Sequence, residues 1–372
     1  MIIGIDITML VYAGSGVANY TFNLVKNLLL IDKKNKYRLF YSSLRRPRNF
    51  YYLEELKKLG GKVYQFPFPP TLLRLIWGKL NIIPIEWFTG KCNIFFFSDF
   101  LRPPLLPETR GVTTIHDLTW KLFPEFHTQE VISAHEKKLE KTIKYGDTII
   151  CDSQNTKKDL LKLYPQIDEK KVHVIYPGVG EKFKKINDNN KIRSVLKKYQ
   201  VDYPTNFLFY SGAIEPRKNL ALSIEVFNEL IKNSKYSDYN FIIAGRAGWK
   251  NEQVFQLVRD LSLENKIKFV GYIENEDLPY FYNACQLNIY LSSYEGFGLP
   301  PLEALACGAR IIVGDNSSLK ETIDEKYRVN LSDKKAIVEK IKKILSQYSP
   351  KPERKFEWEN YTNNFFATFK KN

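Results

Sequence analysis

The sequence predicts an α/β fold of two doubly wound domains, each a parallel sheet covered by helices on both faces. Three observations carry this. Short apolar runs of buried-strand type alternate with amphipathic stretches along the chain. The alternation comes as two series, separated by a polar Lys/Asn-rich stretch. At 372 residues, the chain is long for one domain.

The first series begins with "IIGIDITML", a glycine-bearing loop "VYAGSGVANY" and the amphipathic "TFNLVKNLLL". "YRLFYS", "CNIFFFS", "GVTTIHD" and "DTIICDS" are its further strands. The boundary falls in "VIYPGVGEKFKKINDNNKI", where Pro177 and Gly178 end a strand, with a linker over 177–190. The second series reads "FLFYSGA", "NFIIAGRA", "IKFVGYI", "LNIYLSS" and "ARIIVGD", with helices such as "LALSIEVFNELIKN" between strands. The expected domains are 1–180 and 181–352. In open parallel sheets ligands sit beyond the C-terminal strand ends, so a cleft between two such domains is the expected site.

Hydrophobic residues make up 44%, charged residues 26% and aromatics 14%, as expected of a globular protein with two real cores. A formal charge of +15 favours anionic partners such as nucleotides or anionic lipid, or else serves solubility alone. Cys92, Cys151, Cys285 and Cys307 lack paired spacing, which argues against a disulfide framework or zinc site. "MIIGIDITML" reads as a first strand rather than a leader, and no run approaches 18 apolar residues. The expected compartment is a reducing cytoplasm.

In "FLFYSGAIEPRKNLALSIEVF", Gly212 turns the chain after a strand, and Arg217 and Lys218 lie where the next helix begins, with Asn219 placed to cap it. Two cations, free N–H groups and a helix dipole make a diphosphate site. An exposed basic pair on a loop is the alternative. "SSYEGFGLPPLEALACG" sets Glu295 in a glycine-rich loop and Glu303 inside the following helix. Pro300 and Pro301 suit the first helical turn and Gly308 the C-terminal cap. Gly296 and Gly298 let backbone N–H groups near Phe297, Gly298 and Leu299 meet a ligand closely. The carboxylates are placed to hold different parts of one elongated ligand by its hydroxyls. An ordinary surface acid and a helix-stabilising glutamate remain open as a reading.

"VTTIHDLTW" ends a strand at His116, a candidate for donating to hydroxyls or handling protons, or a structurally satisfied histidine. His127, His135 and His173 have no comparable setting. The loop of Gly14 and Gly16 lacks both a full Gly-x-Gly-x-x-Gly spacing and a Walker lysine. No Asp-x-Asp pair is present to hold a metal on a diphosphate, so charge there falls to Arg217 and Lys218.

On these motifs the chain resembles a family 4 glycosyltransferase of the GT-B fold. "YEGFGLPPLEALACG" matches the Glu-x7-Glu signature, "GAIEPRKN" the phosphate-binding motif and "TIHDLTW" the N-terminal histidine motif. "IIAGRAGW", "KFVGYIENEDLPYFYNACQL" and "FEWENYTNNFFATF" fit the family's order, so the resemblance covers nearly the whole chain. It implies two Rossmann-like domains facing across a cleft, with a helix in 353–372 crossing back to the first. It further implies retaining, metal-independent transfer from a nucleotide sugar, which is a substrate, so no cofactor is expected.

By resemblance, Glu295 contacts donor-sugar hydroxyls, Glu303 the ribose, and Arg217 and Lys218 the diphosphate. His116 lies beside the reacting centre, Gly14 and Gly16 shape the floor near acceptor and phosphate, and backbone at Tyr272 and Ile273 receives the base. Front-face transfer, in which the leaving phosphate oxygen takes the acceptor proton, accounts for the lack of an obvious general base. "FYSGAIEPRKNL" and "IIAGRAGW" look most like bacterial polysaccharide mannosyltransferases, pointing to GDP-mannose, with a UDP-sugar as the other donor. The acceptor is expected to be a saccharide or lipid-linked saccharide; nucleic acid is not an expected partner. A nucleotide-sugar epimerase of the same fold and a non-catalytic nucleotide-sugar sensor are the competing readings.

"TLLRLIWGKLNIIPIEWF", Thr71 to Phe88, mixes Leu, Ile and Trp with Arg74 and Lys79. It reads either as a peripheral contact with anionic membrane or as a core face of Leu72, Leu75, Ile76 and Leu80 with Trp77 packed inside.

Overall fold

A computed structural model describes residues 1–44, 50–97, 100–246, 248, 251–346 and 350–369. The chain divides into two compact units, Met1–Gly178 with Glu357–Asn372, and Val179–Phe356.

The first unit has seven strands: β1 (Ile2–Asp6), β2 (Lys36–Ser42), β3 (Lys62–Phe66), β4 (Ile94–Phe97), β5 (Arg110–Ile115), β6 (Thr148–Cys151) and β7 (Val172–Val174). Their order is 3-2-1-4-5-6-7, and all pairs are parallel. The order reverses between β1 and β4, which makes their C-terminal ends a natural ligand position. Strands β1 and β4 are apolar almost throughout because helices cover both faces.

The 16-residue helix Gly16–Ile31 begins where the Ser15 hydroxyl accepts from Ala18 N, and buries Tyr20, Leu24, Val25 and Leu28. The chain returns to this unit at its end. Helix Trp358–Ala367 places Trp358, Tyr361 and Phe365 in the same core as Ile3, Ile5, Leu24 and Phe96. Burying three aromatic side chains contributes several kcal/mol, on the order of 2 each.

The second unit has six strands: β8 (Phe207–Ser211), β9 (Asn240–Ala244), β10 (Ile267–Gly271), β11 (Leu287–Tyr290), β12 (Ile311–Gly314) and β13 (Arg328–Val329). Their order is 10-9-8-11-12-13, again parallel, with the reversal between β8 and β11. Asp188 caps helix Asn189–Lys198 by accepting from Lys191 N, so ordered structure resumes inside the stretch expected to be linker. Arg354 donates to the carbonyls of Val179, Gly180 and Phe183, fastening the last segment of the unit to its first.

All four cysteines are buried free thiols. Among the described residues no helix is long and apolar enough to cross a membrane.

Candidate active site

In the second unit, β8 and β11 are neighbours, so the loops that leave them meet. After β8 the chain turns at Gly212, whose φ of 154° and missing Cβ suit a position where a side chain would press on the Tyr210 hydroxyl at 2.8 Å. A 3-10 turn, Pro216–Lys218, follows, then Asn219 and helix Leu220–Ile231. Asn219 stands at the N-cap position, but its side chain caps nothing. Its left-handed backbone (φ 53°, ψ 41°) is not the extended geometry a capping side chain needs.

The loop after β11 grips this turn. Ser293 N and Oγ both donate to the Arg217 carbonyl, at 3.0 and 2.8 Å. The result is one charged cluster. Lys218 Nζ reaches Glu295 Oε1 at 2.7 Å and Oε2 at 3.0 Å, and the Tyr290 hydroxyl at 2.9 Å. Arg217 donates to the Tyr294 carbonyl at 2.9 Å, to Glu295 Oε2 at 3.3 Å and to Glu215 Oε1 at 2.7 Å. The sequence suggested a phosphate grip and a separate sugar-binding carboxylate. The structure makes Arg217, Lys218 and Glu295 one group.

Glu295 and Lys218 are both buried. Burial alone would raise the Glu295 carboxyl, but Lys218 and Arg217 outweigh it and hold the group below its ordinary range. Burial and then Arg217 push Lys218 down, against the pull of Glu295. An ammonium has three donors. All three of Lys218's are spent on Glu295 and Tyr290, so it is a built-in counter-charge rather than an exposed loop cation.

The Glu295 loop is held from its other side. Ser317 Oγ accepts from Glu295 N, and Ser318 Oγ donates to Glu295 O, both at 2.9 Å. Gly298 precedes helix Leu299–Ala306 with φ 88°, and a Cβ there would lie 2.6 Å from Leu319 Cδ2. The helix carries prolines in its first turn and ends in a Schellman motif. Gly308 N donates to Leu305 O and Ala309 N to Ala304 O. The Phe297 ring is buried edge-to-face on Phe356, so this segment can offer a ligand backbone N–H groups rather than that ring.

Glu303 has a different environment. The Tyr282 hydroxyl donates to Glu303 Oε2 at 3.4 Å and is itself 2.6 Å from Ser211 Oγ at the end of β8. Burial lifts Glu303 to about 7; Lys182 and Tyr282 only partly offset it. At the end of β10, Ile273 is buried and the Tyr272 ring lies 4.6 Å under the Arg246 guanidinium.

In the first unit, His116 follows β5 and Asp152 follows β6, and the two strands are in register at Ile115 and Cys151. That register sets His116 Nδ1 2.6 Å from Asp152 Oδ2. The carboxylate fixes the ring and favours a proton on Nδ1. Burial raises the Asp152 carboxyl, and His116 partly offsets that. The Tyr20 ring meets His116 edge-on at 4.6 Å. Its hydroxyl is 3.0 Å from Thr114 Oγ1 and hydrogen-bonds the Tyr361 hydroxyl. Tyr20 lies in the helix that starts at Gly16, so the glycine loop and His116 belong to one assembly. Gly14 has φ 82°, and beyond its chain neighbours and its own helix backbone nothing lies within 4 Å of a Cβ built on Gly16. Packing therefore does not demand a glycine at 16, and the space is open to a ligand.

His135 is structural. It stacks on Trp120 at 5.6 Å, and burial, then Lys138, lowers it to about 3. Asp152, Tyr20, Tyr361, Tyr290, Tyr282 and Glu215 escaped the sequence reading. Only Asp152 carried a usable signal, since "DTIICDS" ends a strand as "GVTTIHD" does. Among the described residues no group of three or more His, Cys, Asp or Glu is placed to hold a metal ion.

Comparison with known proteins agrees over both units. Residues 14–182 match the model for Glycosyltransferase Family 4, and residues 191–363 that for Glycosyl transferases group 1. The chain is 26% identical to O-antigen chain mannosyltransferase B of Escherichia coli, over 96% of this chain and 97% of that one. It is 30% identical to an O-antigen chain mannosyltransferase of Salmonella typhimurium, over 64% and 62%. Among solved structures, Anabaena HepE in complex with UDP and glucose superposes with TM-score 0.72 at 16% identity, covering 100% and 99% of the chains. WaaG, a glycosyltransferase involved in lipopolysaccharide biosynthesis, gives 0.69 at 14% identity over 99% and 95%.

Proposed function

The chain belongs to glycosyltransferase family 4, and from that premise we propose that it moves a hexose, with retention, from a nucleotide sugar to a saccharide or lipid-linked saccharide of a cell-surface polysaccharide. The donor we assign is GDP-mannose, by likeness to the O-antigen mannosyltransferases. The place of action is the cytoplasmic face of the membrane.

The observation that carries the reading is the Arg217–Lys218–Glu295 cluster at the sheet's reversal point. A guanidinium has five donors, and Arg217 carries a charge suited to two oxygens of a diphosphate. Lys218 adds positive charge behind it. Ionised Glu295, fixed by both cations, accepts from sugar hydroxyls. Glu303, near neutrality in pH, serves the ribose, and backbone at Tyr272 and Ile273 receives the base. By likeness to the family, His116, held by Asp152, is assigned to the donor sugar. Gly14 and Gly16 leave room for phosphate and acceptor.

In the transfer, the bond between the anomeric carbon and the phosphate oxygen breaks. The acceptor oxygen bonds to that carbon on the same face, and its proton passes to the leaving phosphate oxygen. Arg217 and Lys218 offset the charge that develops there, and no metal ion or cofactor is required.

The test incubates the protein with GDP-mannose, UDP-glucose and dTDP-sugars, with and without lipid-linked acceptors and with EDTA. Product linkage is read by NMR. Acceptor-dependent release of GDP, an α-linked mannoside and indifference to EDTA are expected. Conversion of the nucleotide sugar without acceptor would mark an epimerase, and binding without turnover a sensor.

A further inference from the structure

We infer that residues 72–87 of the first unit form a docking surface for an anionic lipid bilayer. This segment links β3 to β4 and splits its apolar side chains between two directions. Leu73, Trp77 and Ile85 point inward with Phe40, Phe95 and Phe97. Leu72, Leu75, Leu80, Ile82 and Trp87 point outward and are exposed, Trp87 by 73%. The sequence offered a core face of Leu72, Leu75, Ile76 and Leu80. The structure packs Trp77 inside as the sequence suggested, with Leu73 beside it and Ile76 partly buried against that core, and leaves Leu72, Leu75 and Leu80 in water.

The backbone explains the split. Residues 70–73 are α-helical and 74–79 a π-helix, so Leu80 N donates to Leu75 O five residues back. The wider turn stacks Leu80 over Leu75, and Leu72 lies one α-turn before Leu75. An outward stripe results, on the opposite side from Trp77, whose indole donates to Ile83 O at 3.0 Å. The segment is tied to the neighbouring helix. Lys141 Nζ binds the Trp77 and Gly78 carbonyls and Asn81 Oδ1, and Asn81 Nδ2 donates to the Tyr145 hydroxyl at 2.9 Å. Soluble proteins scatter exposed apolar residues singly; five exposed within residues 72–87, one of them a Trp, mark an interaction surface.

The charge around it selects the partner. Arg74 and Lys79 lie within the stripe and are exposed, as are Lys137 and Lys144 on the neighbouring helix Gln129–Lys144. None of these four makes an ion pair among the described residues. Burial lowers Lys141, and Arg102, Lys144 and Lys137 lower it further, so the cations crowd one locality. The carboxylates Glu136 and Glu140 of that helix face Lys121 and Tyr164 instead. Apolar side chains with an interfacial Trp, ringed by Lys and Arg, fit a negatively charged headgroup layer over an acyl boundary.

This names the surface for the membrane placement proposed above, and its test needs neither donor nor acceptor. Vesicles of phosphatidylglycerol and phosphatidylethanolamine are sedimented with the full chain, its Trp87→Ser/Leu80→Ser variant and its Arg74→Glu/Lys79→Glu variant, with thermal melts as a folding control. Wild type should bind anionic vesicles, weaken as salt rises, and bind phosphatidylcholine about tenfold less. Each double variant should bind about tenfold less while melting as wild type does. No binding at low salt, binding unchanged in both variants, or a Trp87→Ser/Leu80→Ser variant that only turns a dimer into a monomer would overturn the proposal. Vesicle binding without sugar transfer would leave this surface standing and remove the transferase reading alone.

Discussion

Glu295 and Glu303 belong to one short motif and live under opposite electrostatics. The loop carboxylate has two cations within hydrogen-bonding reach and is held ionised. The helix carboxylate has a phenol at 3.4 Å and is lifted to about 7. Burial acts on both; only the counter-charge differs. Spacing alone therefore says little about what a paired carboxylate does. A fixed anion suits hydroxyl donors and fixes cations, while a carboxyl poised near neutrality also donates.

The largest effect expected from breaking this contrast is at Lys218. Lys218→Ala strands buried Glu295 beside Arg217 alone and should cost about 3–5 kcal/mol of stability, read by denaturant titration. Adding Glu295→Leu should return much of that stability while transfer stays lost. A double variant no more stable than Lys218→Ala would mean the pair is not a unit.

Arg217→Ala comes next. It should weaken nucleoside diphosphate binding by about 1.5–3 kcal/mol in calorimetry, with the fold little changed. Unaltered affinity would remove Arg217 from the phosphate grip.

Glu303 and Glu295 should answer pH in opposite senses. Glu303's folded value lies above its ordinary 4.5, so the stability it gives is full below about 4.5 and is lost as pH rises to about 7. Wild type should therefore fall relative to Glu303→Gln by about 2–3 kcal/mol across that window and run level above it. Glu295 is depressed, so its contribution is present above its ordinary value and lost as pH falls below it. A wild-type to Glu303→Gln difference that is flat from pH 4.5 to 7 would contradict the contrast.

Tyr361→Phe should have the smallest effect. It removes a hydroxyl bonded to Tyr20 in the His116 assembly and should cost about 1 kcal/mol, with a small loss of transfer.

The sequence showed the central strands because they are buried on both faces and read as unbroken apolar runs, as in β1, β4 and β8. It did not show β3 or β13. Both are edge strands, β3 with no fully buried residue and β13 only two residues long. Strand β7, also an edge, ends at Val174, short of Pro177. In the site, positions were legible because glycines, prolines and charges punctuate the strand ends. Partnerships were not. That Lys218 spends its donors on Glu295 and Tyr290 depends on β8 and β11 being neighbours, although about 80 residues of chain separate them. The Tyr20–Tyr361 bond joins residues 341 apart, which no local pattern records.

The most direct measurement is a carbon-13 NMR titration of the glutamate side-chain carboxyls, with Glu295→Gln and Glu303→Gln used for assignment. One carboxyl, lost in Glu303→Gln, should titrate near 7, and another, lost in Glu295→Gln, should stay ionised to below 4.5. Two carboxyls that titrate together near 4.5 would contradict this.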